Sequence, residues 1–109
     1  MGYRPPDPPA GLAESGRALW TDVAGRFVIE AEKDRLQLLQ ACRTADLCDR
    51  LAEVFDKEGP MSESSQGVRV HPAAAELRQQ RIVLARLLAA LGVPSEAAPA
   101  RGIYAIGGA

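Results

Sequence analysis

Residues 30–58 read EAEKDRLQLLQACRTADLCDRLAEVFDKE, and this run decides the fold. It opens with carboxylates at Glu30, Glu32 and Asp34, which favour the positive end of a helix dipole. It closes at Gly59-Pro60, a pair that ends a helix. In between there is no proline and no glycine, so the spacing predicts one long helix over 30–58. At about 100° per residue, Leu36, Leu47, Leu51 and Val54 fall on one side. Ala41, Ala45, Cys48, Ala52 and Phe55 lie beside them. Arg35, Arg43, Asp46, Asp49, Arg50, Glu53 and Lys57 are assigned to the polar remainder. The apolar arc covers roughly half the circumference, wider than one partner helix needs. Such a helix packs against more than one neighbour.

Downstream, residues 59–70 form a polar loop in which Gly67-Val-Arg-Val adds a short extended step. His71-Pro72 then starts a third helix. Proline suits the first helical position, and the residue before it is pushed out of helical geometry. The helix is expected to run to Leu91, with Gly92 as its cap and Pro94 forbidding continuation. Leu77, Leu84 and Leu88 share its apolar face with Leu91. Upstream, Leu12, Leu19, Trp20, Val23 and Phe27 recur at helical steps, interrupted by Gly16 and Gly25, so a shorter or bent helix precedes the long one.

Three segments follow. Residues 1–10 hold four prolines and are expected to be a disordered Pro-rich arm. Residues 11–92 are expected to form a single helical domain that self-associates. Residues 93–109, small and Gly-rich, are expected to be a flexible tail. The fold class is all-α with three main helices. The second and third make a long antiparallel hairpin, and the shorter first helix packs across it through Trp20. Roughly 80 ordered residues make a marginal core, so self-association is expected to cover the remaining apolar surface. Trp20, Leu36, Leu47, Leu51, Val54, Phe55, Leu77, Leu84 and Leu88 are the candidate core and interface residues.

The chemistry is sparse. Cys42 and Cys48 are six residues apart, and a straight helix points them to different sides, so they do not pair. His71 is the single histidine, there is no Cys-x-x-Cys, and no metal or cofactor is expected. A catalytic His71 would need an orienting carboxylate and a nucleophile, and no familiar catalytic motif accompanies it. His71 therefore reads as the start of a helix, and no catalytic residue is assigned.

Charge is more informative. The whole chain carries 13 Lys+Arg against 14 Asp+Glu, a net −1, which speaks against a globally basic nucleic-acid coat. Locally the balance splits. Residues 67–92 hold Arg69, Arg78, Arg81 and Arg86 against Glu76, or +3, while residues 30–58 hold five cations and eight acids, or −3. A +3 segment can follow phosphates, particularly when an oligomer repeats it. Arg69, Arg78, Arg81 and Arg86 are thus the candidate phosphate contacts, with Arg4 and Arg17 further candidates on the N-terminal side.

Several short pieces now stand in order. They are Leu19-Trp20, the step from Phe27 to Asp34, Leu38-Leu39-Gln40-Ala41-Cys42, Glu58-Gly59, Gly67 to His71-Pro72, and Leu88-Ala-Ala-Leu-Gly-Val-Pro94. In that order and spacing, over about residues 11–94, the chain resembles the short small subunits of tailed-phage terminases. The resemblance implies a ring-forming adaptor without catalysis. It would bind double-stranded viral DNA in the host cytoplasm and deliver it to the large terminase subunit, which carries the ATPase and nuclease activities. The segment from Pro94 to Arg101 is a loose version of the family's Pro-rich, Arg-containing close, and no clear helix-turn-helix can be read. A second reading from another class is a small helical protein–protein adaptor or antitoxin-like module without DNA binding. No apolar run approaches the roughly 20 residues of a membrane span, and the first residues lack a signal-peptide core, so a cytoplasmic location is expected.

Overall fold

The computed structural model describes residues 3–58, the backbone of 61–64 and 67–70, and residues 71–93. Three helices carry the fold: α1 (Glu14–Arg26), α2 (Glu32–Glu58) and α3 (Pro72–Leu91). Between α2 and α3, β1 (Met61–Ser64) and β2 (Gly67–Val70) pair antiparallel, with Met61 opposite Val70 and Ser64 opposite Gly67. The extended step at Gly67–Val70 was legible. Its partner strand, read as loop, was not, because Met-Ser-Glu-Ser shows no apolar alternation.

The end of α2 touches the start of α3, where Glu58 meets His71, and near the other end Gln37 of α2 donates to the Leu87 carbonyl of α3 at 3.2 Å. α3 stops as its sequence dictates. Gly92 takes the left-handed conformation at φ 98°, its N–H reaches the Leu88 and Ala89 carbonyls, and the Val93 N–H returns to the Leu88 carbonyl at 2.9 Å.

The core gathers Trp20, Val23 and Phe27 of the α1 region around Leu38 and Cys42 of α2 and Ile29 in the connection between them, with Leu91 closing one side. The side of α2 turned to this core is not the Leu36–Val54 line. Its buried side runs through Leu38, Ala41, Cys42, Asp46 and Cys48. Leu36 is 52% exposed and Val54 38%, while Leu47, Leu51 and Phe55 are half-buried. The reason is geometric. Leu36 and Leu38 lie about 200° apart around a helix, and α1 and α3 take the flanks centred on Cys42 and Cys48, leaving the Leu36–Val54 line facing outward. Trp20 and Leu77 are buried, and Leu84 and Leu88 are half-buried.

The Pro-rich arm is corrected over its described part. Residues 3–9 form no regular secondary structure and Ala10 lies in a turn, but the segment is fastened to the body at two points. The Trp20 indole N–H donates to the Pro6 carbonyl at 2.9 Å. The Tyr3 hydroxyl accepts from the Ile29 N–H at 2.9 Å and donates to the Ile29 carbonyl at 3.3 Å. Proline removes backbone donors, so an extended strap of this kind is held by its carbonyls and by aromatic side chains. The expected C-terminal tail lies, from Pro94 onward, outside the described residues. No helix among the described residues is long and apolar enough to cross a membrane.

Candidate nucleic-acid interface

α3 is positioned by its first residue. His71 stands before Pro72 at φ −58° and ψ 133°, and its Nδ1 accepts the Ala73 N–H at 3.0 Å. This side-chain acceptor satisfies one of the helix's unpaired amides. With Nδ1 accepting, Nε2 carries the ring proton and donates to Glu58 Oε1 at 2.6 Å. An orienting carboxylate therefore does stand beside His71, which sequence reasoning missed because Glu58 lies across a connector of unknown geometry. One ring nitrogen caps α3 and the other ties its start to Glu58 at the end of α2.

From that fixed start, α3 presents its outward side. Arg78, Arg81 and Arg86 are all exposed. Relative to Leu77, they lie at about 100°, 40° and 180° around the helix, with Ile82, Ala85 and Ala89 between them. The acid of the helix, Glu76, lies on the opposite flank and accepts from Gln80 at 2.8 Å. Among the described residues, none of these three arginines forms an ion pair. Arg78 and Arg86 are eight residues apart, about 12 Å along the axis. Arg78 and Arg81 are brought together: with Phe55, Ala74 and Leu77 they line a recess of about 190 Å³ between α2 and α3. Arg86 stands apart from that recess. The backbone of Arg69 lies in β2, opposite Ser62, and its side chain is outside what the structure describes. Arg4 and Arg17 are exposed on the N-terminal part.

The two cysteines are free and buried. Burial, with the Asp46 carboxylate adding to it, pushes the Cys42 thiol up to about 12. Burial also raises Cys48, against the opposing pull of the Arg81 cation. Both remain thiols at neutral pH, which suits packing rather than nucleophilic work. Among the described residues no three His, Cys, Asp or Glu side chains gather as metal ligands would.

Sequence reasoning also missed Asp46. It is 5% exposed, not part of a solvated face, and its carboxylate caps α1: Oδ2 accepts from the Ala13 N–H at 2.8 Å and Oδ1 from the Gly16 N–H at 2.7 Å. Ser15 adds a hydrogen bond to Asp49. α1 has no side-chain cap of its own. No family model matches the chain, and no curated protein or solved structure matches it either.

Proposed function

We propose that this chain is a small terminase subunit, a non-catalytic adaptor that self-associates, binds double-stranded viral DNA and presents it to a large subunit. The observation that carries the reading is the outward side of α3, where Arg78, Arg81 and Arg86 stand exposed with no acid between them. Two further features support it. The order and spacing of the motifs from Leu19-Trp20 to Pro94 are those of the family it resembles. The outward line of Leu36 and Val54 on α2, with exposed Ile82 and Val83 on α3, is apolar surface that a second copy would cover. In this reading α2 and α3 form an antiparallel hairpin that α1 crosses, and copies pack through the outward side of α2. The arginines touch phosphates rather than bases, so affinity comes without a sequence code.

The test is duplex DNA binding measured across a salt series. Each phosphate that a cation no longer neutralises takes about 0.9 off the slope of log affinity against log salt. Arg86→Glu is expected to flatten that slope by about one or two units per engaged copy and leave the helix content unchanged. A wild-type chain with no DNA affinity, or with salt-insensitive affinity, sinks the reading and favours a protein–protein adaptor.

A further inference from the structure

The recess beside Arg78 and Arg81 has a composition that phosphate binding does not require. It is lined by the apolar residues Phe55, Ala74 and Leu77 together with Arg78 and Arg81. Phosphate recognition uses the guanidiniums but has no use for the apolar residues. A closed cavity of about 150 Å³ takes a benzene ring, so about 190 Å³ suits one leucine- or phenylalanine-sized side chain. Paired guanidiniums suit a carboxylate. The recess thus fits an apolar side chain that has a carboxylate next to it.

The chain carries such a pair on its own surface. Leu36 is 52% exposed, more than Val54, Ile82 or Val83. Glu32, also exposed, precedes it by one turn and lies about 40° away around α2. The neighbouring cation, Lys33, is already paired with Asp34 at 3.0 Å. Leu36 and Phe55 are 19 residues apart, about 28 Å along α2 and about 100° around it. No chain can therefore place its own Leu36 in its own recess.

We infer that the recess receives Leu36 and Glu32 of a second copy of this chain. This rests on the self-association in the proposed function, names the surfaces that meet, and gives Arg78 and Arg81 to the junction, so that Arg86 is the arginine of α3 left to meet phosphate in the assembly. The two patches face different directions. Once one is occupied, the other is still open, so the junction is head-to-tail and repeats until the assembly closes.

Native mass spectrometry of the full chain tests this. Wild type is expected to form an assembly larger than a dimer. Leu36→Lys places a cation against the two arginines, and the double variant Arg78→Glu with Arg81→Glu inverts the other patch. Each is expected to weaken association about 100-fold or more and run as a monomer. Mixing Leu36→Ser with the double arginine variant is expected to give a 1:1 pair and nothing larger, because each partner retains one intact patch and the two altered patches offer neither an apolar side chain nor opposite charge. Circular dichroism checks that helix content is kept, and Leu36→Ser replaces any Leu36 variant that loses it. Assembly of either variant at wild-type strength, a mixture that stays monomeric, or a wild type that stops at a dimer overturns the inference. A wild type and variants that all assemble alike overturn the recess junction and leave self-association standing. A monomeric wild type overturns both. Arg86 lies outside the recess, so DNA binding by the Arg86→Glu chain reports on the nucleic-acid reading separately.

Discussion

Gly16 of α1 lies directly against Asp46 of α2. The Asp46 carboxylate accepts the Gly16 N–H at 2.7 Å, and a Cβ added at Gly16 would lie 2.7 Å from the Cys42 carbonyl oxygen. The glycine lets the helices approach, and the approach lets a side chain of one helix cap the other. Asp46→Ala leaves the Ala13 and Gly16 amides without their acceptor. It should cost about 2 kcal/mol or more, with Asp46→Asn costing less. Gly16→Ala should cost about 1–3 kcal/mol, because the added methyl meets both the Asp46 carboxylate and the backbone carbonyl of Cys42, and the latter cannot give way unless the helices shift. Urea unfolding of the three variants checks this ordering, and a wild-type midpoint for Asp46→Ala would show that the cap contributes nothing.

Tyr3 fastens the Pro-rich strap to Ile29 through both of that residue's backbone groups. Tyr3→Phe keeps the ring and removes the acceptor of the Ile29 N–H. Loss of one such bond, near 1 kcal/mol, should speed exchange of the Ile29 amide roughly fivefold while core amides stay protected. Hydrogen exchange read by NMR tests it. Trp20→Ala should cost more, about 3–5 kcal/mol, since it empties the core as well as releasing Pro6.

Cys42 reports on alkaline stability. Its thiol is raised from an ordinary 9.0 to about 12 in the folded chain. Below pH 9 both states hold the proton and the group has no effect. Between about 9 and 12 the unfolded chain gives up its proton while the folded chain retains it, so stability falls as pH rises. Cys42→Ala should flatten that fall. At pH 8 a thiol reagent should modify Cys48 before Cys42, with Cys42 reacting only as the chain unfolds. Mass spectrometry of partly labelled protein separates the two.

His71 is predicted to matter for stability through its two bonds. His71→Ala loses the acceptor for Ala73 and the link to Glu58, and should cost about 1–2 kcal/mol. His71→Asn restores a cap without reaching Glu58 and should recover about half. Equal thermal midpoints for the two variants would mean that the cap itself contributes little.

Helix existence and the limits of α3 were legible because each rests on local chemistry: His71-Pro72 at one end, Gly92 at the other, and no breaker between Glu30 and Glu58. The facing of α2 was not. Its apolar residues occupy half the circumference, so the Leu36 side and the Leu38 side look alike until α1 is placed, and α1 is placed by Gly16, which by itself reads only as a weak helix former. Asp46 was counted with the solvated charges because its partners are amides about thirty residues away. The candidate arginines were legible as charge. That Arg78 and Arg81 share a recess with Phe55 was not, since it depends on how α2 lies against α3.

The borrowed cap also sets an order of events during synthesis. The amides at Ala13 and Gly16 wait for a carboxylate 33 and 30 residues further along. At about 5–20 residues per second, the ribosome supplies it roughly two to seven seconds later. During that interval the nascent α1 segment carries Trp20 and Val23 without Leu38 and Cys42 to pack against. The N-terminal segment of this protein is made first and folds only when its successor arrives.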